Sequence, residues 1–114
     1  MLRLAMAGLV GLGLAACAKA PAAGGGRGQA LVEKYGCGAC HAIPGIPDAA
    51  GMVGPPLDHM ASRQYVAGML RNTPDNMAAW LRHPQSIVPG NAMPDLGLSE
   101  ADAQAIATYL ATLK

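Results

Sequence analysis

The sequence predicts a small all-α domain: four to five short helices joined by long loops, around a core that its own side chains do not fill. Three observations carry that prediction. Apolar residues recur at three- and four-residue spacing in several segments, and no segment alternates with the period of two that a half-buried strand requires. Two long stretches between the periodic segments are broken repeatedly by Pro and Gly. The 114 residues include 15 Gly and 9 Pro but no Phe, one Trp and three Tyr, too few large side chains for a domain of this size. A bound group is expected to take the space that aromatic residues leave.

Residues 1–17, MLRLAMAGLVGLGLAAC, place Arg3 before an apolar run shorter than the ~20 residues of a membrane-spanning helix, which is the layout of a secretory signal peptide. The run ends in Leu14-Ala15-Ala16-Cys17, which resembles the lipobox of bacterial lipoproteins and makes Cys17 the expected lipidation site. The alternative is an ordinary signal cut at an Ala-x-Ala site such as Ala16-Cys17-Ala18. It leaves a spare thiol in an exported protein, which favours the lipoprotein reading. Residues 18–27, AKAPAAGGGR, are expected to form a flexible tether. Ten Gly-rich residues reach roughly 17 Å, which would hold the domain (residues 28–114) near a bilayer surface.

Within the domain, GQALVEKY (28–35) reads as a short helix ended by Gly36. Residues 42–62 carry no period and read as an irregular loop that needs a ligand to organise it. A helix is expected from about Ser62 or Tyr65 to just before Asn72. The next has Thr73 as N-cap and Pro74 at its first position, with Met77, Trp80 and Leu81 on one face and Pro84 closing it. Residues 84–98 read as a second loop. Ser99 caps a last helix, with Glu100 and Asp102 in its first turn, Lys114 at its end, and Ala103, Ile106, Tyr109 and Leu110 on one face.

The chemistry lies in CGACH, residues 37–41. Structural zinc wants four ligands, and His59 and His83 stand far apart without zinc-finger spacing. A redox dithiol wants a βαβ setting that this chain lacks, and a disulfide across two residues contributes little stability. The remaining reading is a covalently attached haem: the Cys37 and Cys40 thiols add to the two vinyl groups, and His41 lies under the iron. An electron-transfer haem also needs a second axial ligand, commonly Met. Of seven methionines, Met1 and Met6 leave with the signal, and Met69 and Met77 read as helix-face packing. Met52 and Met60 lie in the first loop. Met93 stands apart, on an irregular segment bracketed by Pro89 and Pro94 just before the last helix, and is the expected sulfur ligand.

Three segments together, Cys37-Gly38-Ala39-Cys40-His41, Gly54-Pro55-Pro56-Leu57 and Pro89-Gly90-Asn91-Ala92-Met93, resemble the small monohaem class I c-type cytochromes of bacteria, over residues 28–114. The resemblance implies a cytochrome c fold wrapped around one haem c. It implies that the Pro55 carbonyl accepts the His41 Nδ1 proton and that Arg63 stands near a haem propionate. Tyr65 and Trp80 are further candidates for the haem wall, with ordinary packing as the alternative. Gly28 and Tyr109 are expected at the crossing of the first and last helices.

The expected function is single-electron transfer, with no catalytic residue and no small-molecule substrate, because both iron positions are filled and no acid–base pair is poised. Ala39, Ala42, Met52 and Met93 are expected to form the docking patch. A formal net charge of +1 excludes a nucleic-acid surface. The expected partners are redox proteins of the respiratory membrane, a terminal oxidase or a quinol-oxidising complex, met on the periplasmic side. Resemblance to cytochromes that accompany haem–copper oxidases points the same way. The alternative is a haem sensor or peroxidase-like protein whose sixth ligand is displaceable.

Overall fold

A computed structural model describes residues 26–114, so the expected signal peptide, Cys17 and most of the tether lie outside the described residues. The domain is all-α with one small hairpin: α1 (Gly26–Lys34), β1 (Tyr65–Val66), β2 (Leu70–Arg71), α2 (Pro74–Arg82), α3 (Pro84–Ile87) and α4 (Glu100–Leu110), with 3₁₀ turns at Cys37–Ala39 and Met60–Ser62. Among the described residues no helix is long and apolar enough to cross a membrane. α4 is the hub. It packs against both α1 and α2 and buries Ala103, Ile106, Ala107, Tyr109 and Leu110.

α1 begins two residues before the expected Gly28, because Arg27 has a tertiary partner: its guanidinium pairs with Asp102 and donates to the Ala101 carbonyl at 3.2 Å. Gly28 lies at the α1–α4 crossing, where an added Cβ would stand 2.6 Å from Tyr109 Cβ and meet the Ala105 carbonyl. Only a hydrogen in place of a side chain lets these helices approach so closely. Gly36 then ends the helix in the left-handed region at φ 68°. Thr73 and Ser99 cap α2 and α4 as expected, accepting from the amides of Asn76 and Asp102 at 3.2 and 3.1 Å. α4 stops at Leu110, so Lys114 does not complement its dipole. The tail turns instead to the first loop, with the Ala61 amide donating to Leu113 O at 2.9 Å.

Two segments differ from expectation. The helix expected between Ser62 and Asn72 is an antiparallel hairpin, pairing Tyr65 with Arg71 and Val66 with Leu70. Ala67 and Gly68 both sit at positive φ, 52° and 68°, which a helix cannot accommodate and a tight hairpin turn requires. Asn72 fastens the hairpin's end, its Nδ2 donating to Met60 O and Arg63 O. Two-residue strands are too short to alternate visibly, so the sequence has no strand pattern to read. The loop expected over 84–98 also starts with a helical turn, α3, with Pro84 pre-set at its first position. The segment 42–62 is irregular, as expected. Its bends are closed by an Ala42–Ala50 bridge and by Leu57 N–H donating to Ala42 O at 2.9 Å, which brings Ile43, Ile46, Leu57 and Met60 into the core.

Candidate functional site

The α1–α4 and α2–α4 packing leaves a mostly apolar cleft of about 380 Å³, within the roughly 300–1,000 Å³ typical of small-ligand and cofactor sites. All of the expected site residues in the described chain line it: Cys37, Cys40, His41, Met93, Pro55, Arg63, Tyr65 and Trp80. Segments far apart in sequence therefore meet at one cavity.

One wall is the CGACH turn. With Gly36 left-handed, the chain re-enters a single helical turn in which the Cys40 and His41 amides donate to Cys37 O at 3.2 and 3.0 Å. That turn sets Cys37, Cys40 and His41 along one rim of the cleft. Neither cysteine is in a disulfide, and burial pushes the Cys37 thiol above its ordinary pKa. His41 Nδ1 lies 2.7 Å from Pro55 O. A carbonyl can only accept, so Nδ1 carries a proton, and in the neutral ring Nε2 is the nitrogen with the free electron pair. Gly54 makes this approach possible, since a Cβ there would fall 2.6 Å from His41 Nδ1. Its own amide donates to Cys40 O at 2.8 Å.

Arg63 lines the cleft, but its Nη2 donates to the carbonyls of Pro56 and Asp58, beside the Asp58 carboxylate at 3.7 Å. Its visible work is to hold the strand of chain that presents the Pro55 carbonyl. Tyr65, on β1, is 52 % exposed at the cleft's edge, and Trp80 is half-buried on the α2 face. Tyr35 also lines the cleft and donates to Asp102 at 3.1 Å. That hydrogen bond, followed by partial desolvation, raises its pKa above the ordinary phenol value.

The second wall carries Met93, half-buried against the core. Its surroundings hold residues that sequence reasoning missed. Asn91 Oδ1 accepts from the Met93 amide at 2.7 Å, and Gln85 Nε2 donates to Met93 O at 2.7 Å. Gln85 lies inside the segment read as a loop, and nothing in its spacing marks it. Asn91 falls within the Pro89–Met93 segment, at one of its variable positions.

The family model for cytochrome c matches residues 26–114. The chain belongs to the cytochrome c family. It is a class I c-type cytochrome, and its match begins where α1 begins. Relatives include proteins named cytochrome c oxidase subunit 2. One, from Alkalihalophilus pseudofirmus, is 39% identical over 89 residues, covering 77% of this chain and 25% of that protein. Another, from Bacillus subtilis, is 36% identical over 92 residues, covering 77% of this chain and 26% of that protein. The chain thus spans about a quarter of the length of these relatives. The cytochrome's donor set fits a haem: two thiols for its edge, one imidazole with Nε2 released, one thioether, and an apolar cleft between them.

Proposed function

We propose that this cytochrome is a single-electron carrier, not a catalyst, in which Cys37 and Cys40 hold one haem covalently and His41 and Met93 are its axial ligands. The observation that supports this most is the 2.7 Å contact between His41 Nδ1 and Pro55 O, which aims a fixed, electron-rich imidazole nitrogen into the cleft that Met93 also lines. A bound haem supplies a one-electron iron couple. The chain's own residues do the rest. Pro55 keeps His41 in one tautomer and orientation in both oxidation states, and the Met93 thioether favours ferrous iron. The apolar lining limits water at the site, which also tunes the potential. Met52 and Val53, 94% and 67% exposed, lie between Gly51 and Gly54, whose amides bond the CGACH turn, and with Ala39 and Ala42 they suit a small transient contact with a redox partner.

The relatives' name supports a respiratory oxidase context, in which the domain would deliver electrons to or within such a complex at the extracytoplasmic face of the membrane. The sequence of residues 1–17 supports export, with Cys17 as lipid anchor. The test has two parts. Acidified organic solvent should leave haem on the native polypeptide and extract it after Cys37→Ala with Cys40→Ala. Met93→Ala should abolish the near-infrared band of ferric Met ligation and lower the potential, whereas Met52→Ala and Met60→Ala keep the band. Free extraction from native protein, or loss of the band in Met60→Ala, rejects the assignment.

A further inference from the structure

The segment that carries Met93 has an unusual attachment. From Ala92 to Leu98 no backbone group hydrogen-bonds to another backbone group. The polar hold on this stretch comes from side chains, and two amides provide most of it. Gln85, at the second position of α3, uses every polar atom of its side chain: Nε2 donates to Asn91 O at 2.8 Å and Met93 O at 2.7 Å, and Oε1 accepts from Gly90 N–H at 3.0 Å. Its backbone amide donates to Asp95 Oδ1 at 3.2 Å, so one residue grips the segment on both sides of Met93. Asn91 completes the frame. Its Nδ2 donates to Pro84 O at 3.0 Å and Val88 O at 2.7 Å, and its Oδ1 accepts from Met93 N–H. Both NH₂ groups are fully used, and each amide fits in one orientation only, since a flip would face oxygen to carbonyl and N–H to N–H.

We infer that Gln85 and Asn91 form an amide clamp that positions Met93, so that the sixth coordination site stays closed to outside ligands. This rests on the reading of Met93 as the axial ligand. Both polar backbone groups of Met93 end on the clamp, its N–H on Asn91 and its C=O on Gln85. A thioether is a weak ligand, and its hold on iron depends on how little freedom the loop gains when the bond opens. Without the clamp, a competing ligand has only the segment's apolar packing to displace. Gln85 is therefore a positioning residue, and its removal should change ligand exchange more than global stability.

The test uses ferric holoprotein and imidazole as the competing ligand. Gln85→Leu removes the side-chain hydrogen bonds. Gln85→Glu keeps the acceptor for Gly90 but sets an oxygen against the carbonyls of Asn91 and Met93. Both should bind imidazole at least about tenfold more tightly than native protein, as expected for losing two or more hydrogen bonds, and both should weaken the near-infrared band. Gln29→Leu, which removes a bond to Gly45 O on the opposite loop, should leave both readings unchanged. A native band with unaltered imidazole affinity in both Gln85 variants overturns the clamp. Absence of the band from native protein overturns the Met93 assignment and the clamp with it. If the variants fail to take up haem, amide exchange in the native holoprotein decides. Gly90 and Met93 should exchange far more slowly than Met52 and Val53, whose amides have no hydrogen-bond partner, and equal rates overturn the clamp.

Discussion

The two walls of the cleft are built by different means. The wall that carries His41 is backbone locked to backbone: Gly51 N–H on Gly38 O, Gly54 N–H on Cys40 O, Leu57 N–H on Ala42 O. Glycines stand where any Cβ would collide, at Gly38 with Ala49, at Gly51 with Ala39 and Cys40, and at Gly54 with His41. The wall that carries Met93 is backbone held by side chains, through Gln85 and Asn91. The first construction leaves no slack, and one added methyl group must move the imidazole. The second can be loosened one hydrogen bond at a time. A side chain fixed by the first is held rigidly, and a side chain fixed by the second has a tunable hold.

The sharpest way to break this contrast is to put the same atom in both walls. Gly54→Ala drives a methyl group into the His41 ring and should cost about 3 kcal/mol, the upper range for overpacking. Lost haem retention should accompany it, read from the ratio of haem to protein absorbance and from Tm. Gly90→Ala adds its methyl where nothing lies within 4 Å, so only the left-handed backbone at φ 79° resists it. The expected cost is about 1–2 kcal/mol with full haem content, measured by denaturant titration. Equal losses at the two glycines would erase the distinction between the walls.

Tyr35→Phe should have the smallest effect, because it removes one hydrogen bond to Asp102 and leaves the ring in place. The bond raises the tyrosine pKa in the folded chain above its ordinary 10.0. Its contribution is therefore fully present below pH about 10 and fades as pH rises through the folded value. The stability gap between native protein and Tyr35→Phe should be measurable at pH 7 and close at strongly alkaline pH. A gap that widens with pH would contradict this sign.

The sequence by itself determined the helical class, the caps at Thr73 and Ser99, the glycine crossing of α1 and α4, and the set of residues that meet at the cleft. These are local or motif-borne features. A cap is decided within four residues, and the CGACH motif sets the spacing of its cysteines and histidine. Tertiary structure decided the rest. The 65–71 segment became a hairpin because Ala67 and Gly68 take positive φ, a choice that Asn72 anchors from outside the segment. α1 starts two residues early because Arg27 finds Asp102, 75 positions away. Arg63 turned toward the Pro56 and Asp58 carbonyls, and Gln85 became part of the Met93 site. Long side-chain hydrogen bonds have no period, so a pattern that picks out the cleft-lining residues does not reveal what holds them.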